Sequence, residues 1–78
     1  MKRKSKTLFK TLENIGQKLS ELRMDMGYGT IKEFAKDHKL PLIQYWRIEK
    51  GKSNLTINTL MNVLNIHQIT VKDFFCRK

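Results

Sequence analysis

Apolar residues at Leu8, Leu12, Ile15, Leu19, Leu22 and Met26 recur at alternating intervals of four and three. That spacing lines one face of an amphipathic helix over 8–26. The other face carries Lys10, Glu13, Lys18, Glu21 and Asp25. Mixed signs there describe a solvated surface rather than a membrane-seeking cationic one. Gly27-Tyr28-Gly29 ends the pattern. Thr30-Ile31-Lys32-Glu33 then reads as a capping box, in which the Thr30 hydroxyl accepts from the Glu33 amide and the Glu33 carboxylate returns to the Thr30 amide. The helix it opens runs to about His38. Phe34 is its core residue, and Ala35 is small enough to admit another helix closely.

The next run, Leu40 to Lys52, predicts a short helix over 41–50. Pro41 suits a first helical turn, and Gly51 tolerates the left-handed conformation just past a helix end. About ten residues span roughly 15 Å, too short a helix to be stable alone. Tyr45 and Ile48, three apart, are expected to face inward, which leaves Leu42, Ile43, Gln44, Trp46, Arg47 and Lys50 around the remaining surface. Lys52-Ser53-Asn54 is a polar loop. Thr56 caps a fourth helix whose apolar positions are Ile57, Leu60, Met61, Val63 and Leu64, and which ends near His67 or Gln68. Thr70 caps a last short helix bearing Phe74 and Phe75. No segment alternates with period two, so the expected fold is all-α with five helices.

At 78 residues the chain is enough for one domain. It is expected over 8–76, after a basic disordered arm over 1–7 that contains Lys2, Arg3, Lys4 and Lys6. The net charge of +9, from 16 Lys+Arg against 7 Asp+Glu, favours a polyanionic partner. A single cysteine, Cys76, cannot close an internal disulfide and suits a reducing cytoplasm. No apolar run reaches membrane-spanning length, and no apolar h-region follows the basic start. His38, His67 and Cys76 lack the paired spacing of a zinc site, with His38 read as a surface residue and His67 as a helix-end residue against the core. Cys76 has no evident base beside it, and no glycine-rich phosphate loop occurs. The expectation is therefore no enzyme, no metal and no cofactor.

The helices at 30–38 and 41–50, separated by a tight connection, suggest a helix-turn-helix, whose second helix enters the DNA major groove. Gln44 suits adenine and Arg47 suits guanine, each through two hydrogen bonds, while Leu42 or Ile43 suits a thymine methyl. Lys50, Lys52, Ser53 and Asn54 would meet the backbone, and the amides at the start of the helix capped by Thr30 would take another phosphate.

The chain resembles the phage-repressor helix-turn-helix family (Cro/cI-like, XRE-like). The resemblance runs from Ile15 to Phe75. It rests on Ile15-Gly16 with Leu19, Leu22 and Arg23; on Thr30 with Phe34-Ala35; on Ile48-Glu49-Lys50-Gly51-Lys52; on Leu60, Val63 and Leu64; and on Thr70 to Phe75. It implies a five-helix, lambda-repressor-like DNA-binding domain that acts as a transcriptional regulator. It also implies an Arg23–Glu49 ion pair tying the first helix to the third, and homodimers on palindromic sites. The base-reading set would be Leu42, Ile43, Gln44, Trp46 and Arg47. The phosphate-contacting set would be Thr30, Ile31, Lys50, Lys52, Ser53 and Asn54. Three features depart from the family pattern: Gly29 is an extra residue before the second helix, Ile31 stands where a polar residue is common, and Pro41, Leu42, Ile43 and Trp46 replace small or polar ones. The last group motivates an alternative, a protein-interaction module (antitoxin or adaptor) that uses Leu42, Ile43 and Trp46.

Overall fold

The computed structural model describes residues 6–52 and 55–76, with the side chains of Lys6, Thr7 and Phe9 left aside. Five helices follow in order: α1 (Lys6–Asp25), α2 (Ile31–Asp37), α3 (Leu42–Glu49), α4 (Ile57–His67) and α5 (Val71–Cys76). No strand occurs among the described residues. α1 begins at Lys6, two residues inside the stretch expected to be an arm; residues 1–5 lie outside the described residues.

Local chemistry sets the boundaries. The Thr30 hydroxyl accepts from the Glu33 amide at 3.2 Å, Thr56 from Thr59 at 3.1 Å and Thr70 from Asp73 at 3.0 Å. Each satisfies one of the amides that a helix start leaves unpaired. The return bond of the expected capping box, from Glu33 to the Thr30 amide, does not form. Pro41 stands one residue outside α3 rather than in its first turn: its ψ of 119° is extended, and its carbonyl accepts from the Tyr45 amide at 2.9 Å.

α1 to α4 all end in paired backward bonds of the Schellman type. At α3 the Gly51 amide reaches the Ile48 carbonyl at 3.1 Å and the Lys52 amide reaches the Arg47 carbonyl at 2.9 Å. The left-handed residue is Gly51 there (φ 69°), but Lys39 after α2 and Gln68 after α4 adopt the same conformation at φ 59°. Side-chain crowding in that region costs a non-glycine residue about 1–2 kcal/mol. Leu40 and Ile69, the residues that follow, pack on the core and help to hold the turns closed.

All five helices contribute to one apolar core. Ile15, Leu19 and Leu22 come from α1, Phe34 from α2, Tyr45 and Ile48 from α3, Leu60, Val63 and Leu64 from α4, and Phe74 from α5. Phe34 is its hub, with the rings of Tyr28, Tyr45, His38 and His67 all within 5.5 Å centroid to centroid. His38, expected on the surface, is half-buried against Phe34. The expected stripes were too long at their ends. Leu8 and Met26 of the first pattern are exposed, as are Ile57, Met61 and Phe75. The neighbouring helices cover α1 only between Leu12 and Arg23, and Ile57 and Met61, one turn apart, share the uncovered side of α4.

α1 and α3 approach closely at one glycine. A Cβ on Gly16 would fall on the Glu49 carbonyl oxygen and within 2.8 Å of the Ile48 carbonyl oxygen. Both obstacles are backbone and cannot swing aside. Gly16→Ala is therefore expected to lose at least the ~1–3 kcal/mol typical of overpacking. Gly29→Ala is the control, because a Cβ there meets nothing within 4 Å. Urea unfolding of the two variants checks this, and an unchanged midpoint for Gly16→Ala would refute the close approach.

His67 supplies a pH dependence. Burial lowers its pKa from 6.5, and the neighbouring His38 pushes in the same direction, against a smaller opposing effect of Glu49. A histidine whose pKa is lower in the folded chain binds protons more readily when unfolded. Its contribution to stability is full above the unfolded value of 6.5 and declines as the pH falls below it. Melting temperatures measured from pH 8 to pH 5 are expected to fall below about pH 6.5. His67→Leu is expected to flatten that slope.

Candidate nucleic-acid interface

α2 and α3 are joined by only four residues, 38–41, and pack against each other. α3 also packs against α1, so its inner side is held from two directions. Tyr45, Ile48 and Glu49 are the buried residues of α3, as inward-facing positions spaced by three and four must be. Helical periodicity then turns Ile43, Arg47 and Lys50 straight outward. Leu42 and Trp46 flank them on the α2 side, and Gln44 flanks them on the other.

The buried side is fixed by charge as well as by packing. Arg23 Nε donates to Glu49 Oε2 at 2.8 Å, and Nη2 donates to Oε1 at 3.3 Å. Nη1 donates to the Tyr28 carbonyl at 2.7 Å, and Nη2 also reaches Ser20 Oγ at 3.3 Å. The Tyr45 hydroxyl donates to Glu49 Oε2 at 2.6 Å. Two buried charges thus meet with nearly every donor and acceptor engaged, the arrangement that makes such a pair tolerable. Burial, with the Glu49 carboxylate beside it, pushes the Tyr45 hydroxyl far above its usual range, so it stays a donor.

The outer side divides into two parts. Ile31 and Lys32 of α2 with Leu42, Ile43, Trp46 and Arg47 of α3 line an open groove whose floor is almost wholly apolar. Around it, Lys36, Lys39, Lys50 and Lys52 are exposed. Arg47 Nη2 lies 3.5 Å from the Lys52 carbonyl, a bond at the limit of hydrogen-bond length that a better acceptor displaces easily. Gln44 stands on the opposite flank from the groove.

Among the residues expected to read bases, the structure brings Leu42, Ile43, Trp46 and Arg47 together. Among those expected to contact phosphate, Lys50 and Lys52 are exposed beyond the end of α3, and Thr30 caps α2. Ile31 departs from its expected role. Its side chain is half-buried and packs on the core while walling the groove, so only its backbone amide can meet an anion. Ser53 and Asn54 lie outside the described residues. The residues that sequence reasoning missed are supports: Gly16, Ser20 and the Tyr45 hydroxyl. The four-residue spacing of Tyr45 and Glu49 was a usable signal for the last.

No three metal-ligating side chains converge among the described residues. No described helix is long and apolar enough to cross a membrane. Comparison with protein-family models, curated proteins and solved structures finds no match to this chain.

Removing one member of a buried, hydrogen-bonded ion pair strands the other and costs about 3–5 kcal/mol. Glu49→Ala is therefore expected to lose stability of that order, and to lose more than Lys50→Ala at the adjoining exposed position. Denaturant unfolding of both variants measures it. Equal, small losses would mean that water reaches the pair.

Proposed function

We propose that this chain is a sequence-specific DNA-binding transcriptional regulator with a lambda-repressor-like helix-turn-helix fold, in which α3 enters the major groove. One observation carries the reading. A short helix is locked on its inner side by a buried ion-pair network and presents Arg47 and Lys50 on its outermost line, among further exposed lysines. Such a helix has the rigidity that base reading requires and the charge that a phosphate backbone attracts.

In this reading Arg47 pairs with guanine, and Gln44 pairs with adenine from the other flank of α3. Lys50, Lys52 and the Thr30 turn approach phosphates, fixing register without reading sequence. The resemblance to phage-repressor proteins adds a two-fold dimer on a palindrome, with half-sites about 34 Å apart. A reducing cytoplasm suits both that role and the free, exposed Cys76.

The apolar groove supports a second reading, a protein-interaction module such as an antitoxin or adaptor. Tryptophan is enriched at protein-binding hot spots, and Trp46 is 40 % exposed. A stoichiometric protein partner lost on Trp46→Ala, with no DNA protected, would favour it.

Random-site selection of bound duplex followed by footprinting tests the main reading, with a palindromic consensus as the expected outcome. On the selected site, Arg47→Ala is expected to reduce specific binding far more than non-specific binding, whereas Lys52→Ala reduces both. Affinity should also fall with salt at a log–log slope of about 0.9 per phosphate contact. A salt-insensitive interaction, or operator preference untouched by Arg47→Ala, would sink this reading.

A further inference from the structure

Hydrogen-bonding readout by Arg47 and Gln44 leaves the apolar side chains of the groove, on the α2 flank of α3, without a role. Ile43 is 69 % exposed, and Leu42 and Trp46 are each 40 % exposed. Ile31 backs them from α2. The two charged residues lining the groove are Lys32 and Arg47, and no carboxylate lines it. A cationic rim around an apolar floor fits an occupant that is anionic at its edges and apolar at its centre. A DNA major groove has that character where thymines lie: phosphates border it, and the thymine C5-methyl is its apolar base-edge group.

Resting on the DNA-binding reading, we infer that Leu42, Ile43 and Trp46 form a methyl-reading surface that selects thymines within each half-site. Ile43 is the outermost of the three and makes the first contact. Leu42 and Trp46 flank it toward α2, where Ile31 forms part of the same apolar wall. From Leu42 to Trp46 the helix advances about 6 Å, at 1.5 Å per residue. Successive nucleotides of a strand are about 3.4 Å apart. The surface therefore spans about two adjacent bases, so a pair of neighbouring thymines is the feature it reads. Arg47, on the same line as Ile43 and one turn further on, addresses the next base.

The test replaces thymine by deoxyuridine, one position at a time, in the duplex that the full chain selects from a random pool. This substitution deletes the methyl and keeps Watson–Crick pairing and every hydrogen-bonding edge. The expected result is an affinity loss of about fourfold at each of two adjacent positions, from ~0.8 kcal/mol per buried carbon and tenfold per 1.4 kcal/mol. Other thymines in the site should be insensitive. Ile43→Ser, at a largely exposed position and so compatible with folding, is expected to abolish the difference between the two duplexes at its own position. Deoxyuridine tolerated at every position of a duplex that is still bound specifically overturns the methyl-reading surface and leaves the DNA-binding reading intact. Operator binding unchanged by Ile43→Ser and Trp46→Ala overturns it too, and hands the groove to a protein partner. Selection that enriches no duplex removes both readings together.

Discussion

The Arg23–Glu49 contact is the constraint on which the outer face depends. Each of these charges, taken out of water alone, would cost several kcal/mol. Together, with Tyr45, Ser20 and the Tyr28 carbonyl completing the network, they are satisfied in one arrangement of α1 and α3. Gly16 makes that arrangement possible. Without a side chain there, the α1 backbone reaches the last carbonyls of α3, and Glu49 comes within reach of Arg23. A rotation of α3 about its own axis would break several charged hydrogen bonds at once. The positions of Ile43, Arg47 and Lys50 are therefore consequences of what Tyr45, Ile48 and Glu49 do on the other side.

α2 is held by different means. It is only seven residues long and so has little stability of its own. Its Thr30 cap, the burial of Phe34 and Ala35, and the closed turn through Lys39 to Leu40 fix it between the core and α3. Because the link to α3 is so short, little chain entropy separates the two helices, and the groove between Ile31 and Trp46 is set by the core beneath it. The same core places His38 and His67 on Phe34, where the Nε2 atom of each is buried without a hydrogen-bond partner. Contact with the Phe34 ring is what these imidazoles gain in return, tilted for His38 and stacked for His67, and burial lowers the pKa of His67.

Much of this was legible from spacing. The three-and-four pattern locates α1, and the threonines at 30, 56 and 70 locate the starts of three helices, because both signals act within a few residues. Tyr45 and Ile48 could be turned inward for the same reason. Pattern failed where the answer depended on how far a neighbour extends. Leu8, Met26, Ile57 and Met61 continue their stripes beyond the reach of the helices that cover them. The four-residue spacing of Phe34 and His38 was a usable local signal for their ring contact, but not for the burial that makes it one. The Arg23–Glu49 tie joins residues 26 apart and was legible only through family resemblance, since no local rule pairs charges at that distance. The two-part character of the outer face could be read as residue types, but the joining of Ile31 to Leu42, Ile43 and Trp46 in one groove required the packing of α2 on α3.

That division has a physical consequence for how such a face would bind DNA. Lysine and arginine contacts to phosphate draw their free energy largely from released counterions, so they weaken steeply with salt and ignore sequence. Methyl contacts draw theirs from apolar surface removed from water, which moderate salt leaves almost untouched. With the two kinds of contact on separate residues, affinity and discrimination become separable quantities. If the chain reads DNA in the proposed way, raising salt would strip the phosphate contribution while a preference held by Leu42, Ile43 and Trp46 would persist. A reader built mainly on charge-assisted contacts from Arg47 would instead lose some preference along with affinity. On a strongly basic domain, an apolar edge used in that way would keep discrimination where electrostatic attraction alone would hold any DNA.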